Sequence, residues 1–473
     1  MADTVVLMKN RVLDMAMRGE LVDQRPEEGS AEELILSFKK ENKLKEINKD
    51  EIPYTIPQSW LWVDFESIIK SIGTKNNQIK SKEIENTGTI PVVSQGKEYI
   101  DGFSNQVDKS ISPKKPVILF GDHTRNVKYI DFEFIIGADG TKIFESLLAD
   151  SKYLFRWVQR ASTFIENRGY SRHYSLLKKK PVPIPPLAEQ KRIVAKIEEI
   201  FAVIDQIGTK KEEALSIIRN MRQAALQDAI MGVLVEQEDA NEPASILYEK
   251  IQAEKEKLVK EKKIKKEKPF PEIEAEEILF EIPDSWKWTR LGEISILLNG
   301  DRGKNYPGKR YWVDEGIPFI NAGTLNNRYL SKDNMNFIPE ERYELLSNGF
   351  VEKNDIIYCL RGSLGKISIN KDFDKGAIAS SVVIIRSIGD TNVDYLYYLL
   401  TSDYGKDLIK KVDSGTAQPN LSAKNVSEYI IPLPPLAEQH RIVEKLDEIM
   451  AIFDQMEAIF DGSTEVYEDL KIV

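Results

Sequence analysis

The chain has 473 residues, of which 41% are apolar and 30% are charged, and its formal net charge is −10. One hydrophobic core rarely organises a chain of this length, so we expect two or more domains. The single cysteine, Cys359, excludes an internal disulfide, and no stretch approaches 18 consecutive apolar residues, which argues against disulfide-rich secreted and membrane-spanning classes. We predict a folded protein of the cytoplasm.

The first element in chain order is a helical region, residues 1–56, which contains the block LDMAMRGELVDQ at 13–24. A second block, IPQSWLW at 56–62, opens a first variable domain predicted over 57–180. The end of this domain, residues 151–180, holds eight basic residues and one acidic residue. Since each neutralised phosphate releases counterions, this stretch is our strongest candidate for phosphate contact. The alternative is an amphipathic helix with a basic face toward solvent.

The hexapeptide PPLAEQ at 185–190 begins the next element, a helix predicted to run without interruption from about residue 187 to 231. Prolines suit a helix start, where a missing N–H costs nothing. Isoleucines then recur at spacings of four, three and four, as at the a and d positions of a coiled coil. The members of this first seam are Ile193, Ile197, Ile200 and Ile204. We predict a central helical spacer and connector over 181–282.

The second half of the chain repeats these blocks. LQDAIMGVLVEQ at 226–237 matches the block at 13–24, and IPDSWKW at 282–288 matches IPQSWLW. The repetition predicts a second variable domain over 283–431. The charged runs that precede the two tryptophan blocks are interpreted as solvated helical connectors, and they lie at 39–51 and 249–269.

PPLAEQ returns at 434–439 and begins a C-terminal helical spacer over 432–473. Its seam residues are Ile442, Leu446, Ile449 and Phe453. The repeats predict a cyclic duplication in which the two matched seams pack on each other and the chain ends meet. The alternative is that each helix packs on its own domain. At 1.5 Å per residue, the first helix would be roughly 68 Å long and could set a fixed separation.

The acidic surplus is confined to the helical parts of the chain. Residues 57–180 carry a net charge of +5, residues 283–431 carry none, and the remainder carries −15. Both variable domains also contain polar loops with glycine. Arginine, lysine, asparagine and glutamine side chains suit hydrogen bonding to base edges, and glycine allows the backbone to approach phosphate.

The candidate DNA-contacting residues come from these loops. In the first domain they are Thr74, Lys75, Gln95, Lys97, His123, Arg125, Arg168, Tyr170, Arg172 and His173. In the second domain they are Arg302, Lys304, Asn305, Tyr306, Asn321, Thr324, Asn326, Arg361, Ser363, Lys366, Thr416, Gln418 and Asn420.

Patterns of known catalytic chemistry are missing from the sequence. GKNYPGKR at 303–310 resembles a phosphate loop, but Arg310 stands where the metal-binding Ser or Thr is needed. The three histidines have no metal-ligand spacing. An Asp-His pair in GDHT at 121–124 has no accompanying nucleophile or second carboxylate pattern. We expect no catalytic residue, no metal and no cofactor in this chain.

The doubled PPLAEQ helix, the LVEQEDANEPAS helix exit, the two tryptophan blocks and the element SGTAQPNLS together resemble the specificity subunit of type I restriction–modification enzymes. The resemblance covers nearly the whole chain. It implies an α+β fold, with two mixed α/β target-recognition domains separated by two long antiparallel coiled-coil helices in a cyclic pseudo-two-fold arrangement. It also implies that each domain reads one half of a split, asymmetric site in double-stranded DNA.

The same resemblance implies several partners. Two methyltransferase subunits that modify adenine N6 would dock on the helical regions, and restriction and translocase subunits would join them. S-adenosylmethionine and ATP would bind those partners. Two other functions stay open, a scaffold that joins two proteins through the variable domains and a nuclease whose site has no recognisable motif.

Overall fold

The computed structural model describes residues 2–73, 75–137, 140–166, 169, 172–238, 242–412 and 420–462. The chain divides into two units, Met1–Glu212 and Glu213–Val473. Helix α5 contributes residues to both units, because it runs from Leu187 to Ile230 without a break. This agrees with the predicted uninterrupted helix.

The first unit begins with helices and continues into a β-rich region. Its elements are α1 (Ala2–Arg18), α2 (Ala31–Lys39), β1 (Leu61–Asp64), β2 (Ile69–Ile72), β3 (Ile90–Val93), β4 (Gly102–Ser104), β5 (Val117–Gly121), β6 (Val127–Ile130), β7 (Ile135–Ile136), β8 (Thr141–Ser146), α3 (Ser151–Phe164), α4 (Tyr174–Leu177), β9 (Pro181–Ile184) and the first part of α5 (Leu187–Ile230). The apolar run VILFG makes β5 a fully buried strand. Helix α3 begins after Asp150, whose carboxylate accepts from the N–H groups of Lys152 and Tyr153.

The second unit has the same plan. Its elements are α6 (Ala244–Lys260), β10 (Lys287–Arg290), α7 (Leu291–Ile294), β11 (Ser295–Asn299), β12 (Ile317–Ile320), β13 (Asn336–Ile338), α8 (Glu340–Glu344), β14 (Ile356–Cys359), β15 (Ile367–Ile369), β16 (Ala377–Ile378), β17 (Val382–Ser387), α9 (Val393–Thr401), α10 (Asp403–Val412), α11 (Ala423–Ser427), β18 (Ile430–Leu433) and α12 (Leu436–Gly462).

The two β-rich regions have the same sheet topology although their sequences differ. In the first, a four-stranded sheet has the order β2-β8-β5-β6 and a three-stranded sheet the order β4-β3-β7. In the second, the corresponding orders are β11-β17-β14-β15 and β13-β12-β16. Each region is closed by a two-stranded pair, β1 with β9 and β10 with β18. The predicted α+β fold with two β-rich regions and long helices is confirmed.

Long helices pack antiparallel in each unit. In the first, Lys9 on α1 pairs with Asp205 on α5 at 2.6 Å. In the second, Arg222 on α5 pairs with Asp454 on α12 at 2.6 Å, and Phe453 packs with Leu215 and Ile218. Helices α5 and α12 therefore pack together, as predicted.

The prediction that the two seams pack on each other was wrong, because the described seam residues lie in different cores, each within its own unit. Ile193 and Ile197 are fully buried in a core that includes Leu13 and Ala16 of α1. Ile204 is also buried, and Ile200 is half-buried. Ile442 and Leu446 lie in a core with Leu226, Ala229 and Ile230 of α5, while Ile449 packs beside Phe453. Each seam thus joins a helix pair to the β-rich region of its unit.

A buried carboxylate joins three repeated sequence blocks in the first unit. Glu189 of PPLAEQ accepts a hydrogen bond from the Trp60 indole N–H at 3.0 Å and from the Gln24 amide at 2.6 Å. Burial raises the pKa of the Glu189 carboxyl, although these two hydrogen bonds oppose the rise. The adjacent Gln190 accepts from the backbone N–H of Asp150 at 2.7 Å. The hexapeptide therefore fixes the helix start to α3 and to the tryptophan block.

The second unit repeats this arrangement. Glu438 accepts from the Trp286 indole N–H at 2.9 Å and from the Gln237 amide. Burial likewise raises the pKa of the Glu438 carboxyl. Gln439 accepts from the backbone N–H of Asn392 at 2.9 Å. PPLAEQ occurs twice because each unit needs one such junction.

The glycine of the third block completes the junction. Gly19 has φ +77° and Gly232 has φ +74°, a backbone conformation that favours glycine. A Cβ on Gly19 would lie 2.4 Å from Cγ of Pro57, and a Cβ on Gly232 would lie 2.5 Å from Cγ of Pro283. Glycine thus ends each helix and lets the proline of the tryptophan block approach.

The charged connectors are less helical than the sequence predicted. Helix α2 ends at Lys39, and residues 40–48 have no helix, since Lys45 N–H instead donates to the Ser67 hydroxyl. Helix α6 ends at Lys260, and Lys262 follows with φ +58°. The helical prediction was therefore wrong for most of 39–51 and for 261–269, where charge alone provides no apolar face to bury.

Substituting Trp60 with phenylalanine should destabilise the first unit by about 1–3 kcal/mol, because a buried carboxylate loses a donor. A raised pKa means that Glu189 favours folding most at low pH and that this contribution is lost as the pH rises through the folded-state pKa. Since Trp60→Phe raises that pKa further, the loss of stability should be larger at pH 8 than at pH 5. Urea unfolding of the full chain at both pH values measures it.

Trp286→Phe is the corresponding variant in the second unit, and its loss of stability should likewise be larger at pH 8 than at pH 5. Trp62→Phe is the control, because Trp62 comes from the same block and packs on Tyr54 with ring centroids 5.0 Å apart. Equal effects of Trp60→Phe and Trp62→Phe would contradict the assigned role of the indole N–H.

Candidate nucleic-acid interface

The predicted loops of the first β-rich region meet where strands β3 and β5 end. The Gln95 side chain accepts from the backbone N–H of His123 at 3.1 Å, and the Gln95 carbonyl accepts from the Thr124 hydroxyl at 2.6 Å. The Asp122 N–H donates to the Gly140 carbonyl at 2.7 Å. The structure thus brings together three loops that are distant in sequence.

The segment after α3 is attached to the same place. The His173 N–H donates to the Asp122 carbonyl at 2.8 Å, and His173 Nδ1 lies 2.9 Å from that oxygen. The Tyr174 N–H donates to the Asp122 carboxylate at 2.7 Å. Because the His173 side chain is fully buried, we remove it from the set proposed to face DNA. The preceding residue, Arg172, is exposed.

The remaining candidates of the first region differ in exposure. Lys75, Lys97 and Arg172 are exposed, whereas Gln95, His123 and Arg125 are half-buried. Arg125 has φ +62° and donates from Nη1 to the Ile165 carbonyl at 2.9 Å. Thr74, Arg168 and Tyr170 lie outside the described residues.

The basic helix α3 is used mainly inside the first unit. Arg160 pairs with Asp14 of α1, and Lys152 pairs with Glu198 of α5 at 2.9 Å. Arg156 lies 5.0 Å from the centre of the Phe201 ring. Because these three cations have partners on neighbouring helices, we no longer propose them as the phosphate-contacting part of the stretch 151–180. Arg172 and the exposed Lys179 and Lys180 remain at the surface.

In the second β-rich region, an aspartate anchors the first candidate loop. Asp301 is buried and accepts from the backbone N–H groups of Ser347 at 2.9 Å and Gly303 at 2.6 Å. These hydrogen bonds lower the pKa of Asp301. They leave Arg302 and Lys304 exposed, so the anchored loop presents two cations.

The rest of this loop is held by aromatic and amide contacts. Asn305 donates to the Leu345 carbonyl at 2.9 Å, and Tyr306 packs edge-on against Phe319 with ring centroids 5.8 Å apart. Lys309 and Arg310, which were not among the predicted contacts, are exposed on the same loop. Their signal was present in the basic run GKR.

Two further loops of the second region are joined by side-chain hydrogen bonds. Lys366 donates to Asn326 Oδ1 at 3.3 Å, and Arg361 Nε donates to Asn420 Oδ1 at 3.1 Å. Ser363 is exposed on the same loop as Arg361. The structure thus brings Arg361, Lys366, Asn326 and Asn420 into one surface, as a shared reading site would require.

Asn321 and Thr324 form hydrogen bonds within their own loop. The Thr324 hydroxyl donates to the Asn321 carbonyl at 2.9 Å, and Asn321 Oδ1 accepts from Gly323 N–H at 2.7 Å. Thr324 is buried, so we remove its side chain from the contacting set. Thr416 and Gln418 lie outside the described residues.

Matching hydrogen bonds relate the two surfaces position by position. The Leu421 N–H donates to the Leu360 carbonyl at 3.0 Å, just as the His173 N–H donates to Asp122. Arg172 therefore stands where Asn420 stands in the second region. The sequence alone could not show that Arg172 and Asn420 are equivalent, because the segments around them share no motif. The matching backbone hydrogen bonds show it.

Sequence analysis also missed a cation that ties a candidate loop to a long helix. Arg328 ends the loop that carries Asn326, and it bonds to Asp394 at 2.8 Å and to Asp447 of α12. Burial tends to raise the pKa of Asp394, but Lys371 and Arg328 hold it below its ordinary value. The loop is thereby positioned by α12.

Two absences hold for the part of the chain that the structure describes. No group of three or more His, Cys, Asp or Glu side chains is placed to hold a metal ion. None of the helices searched combines the length and the apolar character that crossing a membrane requires.

Comparison with known proteins gives consistent matches. The family profile described as "Type I restriction modification DNA specificity domain" matches residues 59–216 and 283–459. The type I restriction enzyme EcoAI specificity subunit of Escherichia coli is 24% identical, with 96% of this chain and 90% of that protein covered. The MjaVIII specificity subunit of Methanocaldococcus jannaschii is also 24% identical, with 88% and 91% covered.

A solved structure supports the fold. A chain from a study of the assembly and conformational transition of the type I R-M system aligns with a TM-score of 0.61 and 17% identity. The alignment covers 88% of this chain and 97% of that one. At this identity the likeness concerns the fold alone.

Proposed function

The chain belongs to the family of type I restriction–modification DNA specificity subunits, and from this premise we propose that it reads a split, asymmetric site in double-stranded DNA. It is a specificity subunit, a component that leaves catalysis and its cofactors to other subunits of the complex. We propose that each β-rich region reads one half of the site. Working on chromosomal DNA, the protein would be located in the cytoplasm.

The observation that carries this proposal is that the two β-rich regions have the same sheet topology but different side chains in their loops. Both regions have one sheet topology, yet Arg172 in one occupies the place of Asn420 in the other. Arginine pairs best with guanine and asparagine with adenine in the major groove. Two regions with the same backbone arrangement and different side chains suit two different half-sites.

The proposed contact set keeps the sequence-predicted candidates whose side chains are exposed or half-buried. In the first region it consists of Lys75, Gln95, Lys97, His123, Arg125 and Arg172. In the second it consists of Arg302, Lys304, Asn305, Tyr306, Asn321, Asn326, Arg361, Ser363, Lys366 and Asn420. Lysines in this set would contact phosphate and position the regions, while arginine and amide side chains would read bases.

A methylation map of the host genome tests the function. Deleting this gene should abolish adenine-N6 methylation in one split motif and leave every other methylated motif in place. An unchanged map would refute the proposal. A scaffold without DNA contact predicts no salt-sensitive DNA binding by the purified complex, and a nuclease predicts metal-dependent cleavage by the isolated chain.

Arg172→Ala should weaken binding to one half-site, and Asn420→Ala should weaken binding to the other, by roughly 5- to 150-fold each. The purified complex is measured on DNA in which one half-site at a time is scrambled. Lys82→Ala is the control, since Lys82 is exposed before β3 begins, away from the loop where β3 ends. If both variants impair the same half-site, the assignment of one region to each half is wrong.

We further propose that two methyltransferase subunits dock on apolar faces of the long helices. Val203 and Ile207 are exposed on α5, and Val6 and Leu7 are exposed on α1, the helix that pairs with α5 through Lys9 and Asp205. In the second unit, Ile452 and Met456 are exposed on α12, and Ile217 and Met221 are exposed on α5, which pairs with α12 through Arg222 and Asp454. Val203 and Ile452 occupy the same position after PPLAEQ, as do Ile207 and Met456. Two equivalent apolar faces suit two identical partners.

Val203→Asp and Ile452→Asp should each release one methyltransferase copy, because a charge would be buried in the interface. Native mass spectrometry of the purified complex should then show one copy in place of two. Val107→Asp, at an exposed apolar position in the first β-rich region, should retain both copies. Two retained copies in either helix variant would contradict the docking faces.

A further inference from the structure

A cavity of about 320 Å³ lies in the first unit, outside the surfaces assigned to DNA. The rings of Tyr54, Trp62, Trp157 and Phe164 line it, together with Arg18 and Arg160. Phe164 is 61% exposed, and the Arg160 guanidinium lies 3.8 Å from the centre of its ring. The cavity therefore offers several aromatic surfaces to a ligand.

In the second unit, a tyrosine side chain occupies the place that corresponds to this cavity. Phe280 and Trp288 repeat the edge-to-face geometry of Tyr54 and Trp62, with centroids 5.1 Å apart at 61° in place of 5.0 Å at 67°. There the pair is covered by Tyr404, whose ring centroid is 5.2 Å from that of Phe280. The Tyr404 side chain is buried and its hydroxyl donates to the Ile430 carbonyl at 2.7 Å. A phenol ring therefore fits beside the aromatic pair of the second unit, at the position that corresponds to the cavity of the first.

A difference between the helices explains why the first unit has no counterpart of this ring. Helix α9 ends at Thr401, Ser402 is extended with ψ 168°, and α10 then carries Tyr404 onto the aromatic pair. Helix α3 instead continues through Phe164 without a break. Counted from the capping residues Asp150 and Asn392, Arg160 stands at the position of Ser402. The position of Tyr404 falls on Ser162, a buried serine within the continuous helix.

The border of the cavity is cationic. Arg18 lies 4.6 Å from the centre of the Tyr54 ring, and Lys180 is exposed beside Pro181, the counterpart of Ile430. Asp14 is the acidic residue of the lining, and it pairs with Arg160. The remaining positive charge favours a ligand that carries acidic groups next to its ring.

We propose that this cavity binds the aromatic side chain of a partner subunit, a tyrosine-like phenol carried on an acidic segment. The ring specificity follows from the geometry of this chain. The identity of the donor as a subunit of the restriction–modification complex rests on the proposed function. The second unit fills its own cavity, so only the first unit would receive this contact and the two units would engage their partners differently.

The ring specificity can be tested on the full chain with p-cresol as the probe and 4-methylcyclohexanol as the aliphatic control, by ligand-observed NMR. We expect p-cresol to bind with a Kd on the order of millimolar and at least fivefold more tightly than the control. Ala161→Leu adds volume at the cavity lining and should abolish binding. Because Ala161 also belongs to the buried core, circular dichroism checks that the variant is folded. Equal binding of both probes, or binding that survives Ala161→Leu, would overturn the proposal.

Tyr404→Ala provides a positive control that does not depend on the first cavity. It should open a matched site between Phe280 and Trp288, so that p-cresol binds at a second site and raises the melting temperature of the variant. If the variant unfolds, the same titration on Tyr404→Leu, which removes the phenol but keeps apolar volume, should show the wild-type single site. A second site in Tyr404→Leu would contradict the matched geometry.

The partner is tested in the assembled complex by a photoreactive p-benzoylphenylalanine at position 180. A crosslink to a partner peptide that holds an aromatic residue among acidic residues supports the proposal. A crosslink to DNA, or to a partner segment without an aromatic residue, would overturn it, and so would the absence of a crosslink in an intact complex. DNA binding by the same complex is measured separately, because its loss would count against the proposed function instead.

Discussion

A buried glutamate in each unit holds the repeated parts of the chain together. Glu189 and Glu438 each accept from a tryptophan indole and from a glutamine amide. A charged carboxylate is costly to bury unless it is hydrogen-bonded, so each partner must be in place for the fold to tolerate it. The helix starts, the helix ends and the entry into each β-rich region are thereby fixed at one point. The sheets and their loops are attached to this junction.

As a consequence, the side chains in the loops proposed to contact DNA can differ between the units while the backbone arrangement stays the same. The junctions and the sheet topology are the same in both units, whereas the side chains at the ends of the strands differ. Hydrogen bonds between backbone groups, such as those of His173 and Leu421, hold the loops whatever side chains follow. This separation allows the loop side chains to change while the long helices and their junctions stay intact.

The two units also differ in how their cations are used. In the first, Arg160 and Lys152 join α3 to α1 and α5. In the second, Arg328 joins the loop that carries Asn326 to α9 and α12. A count of basic residues could not separate these uses, because the charge of a residue is the same whether an aspartate or a phosphate faces it. Arg172 and Arg160 lie in one basic run, and only the fold makes one exposed and the other paired.

The sequence by itself determined the duplication, the long helix from PPLAEQ to the glycine, the two β-rich regions and the family. These follow from local periodicity and from repeated blocks, which are readable without knowing what packs against what. Only the tertiary structure decided that the three blocks meet at one carboxylate, that Arg172 matches Asn420, and that His173 and Thr324 are buried. Glu189 and Trp60 lie 129 positions apart, and contacts over such distances depend on how whole elements pack, which local patterns do not encode.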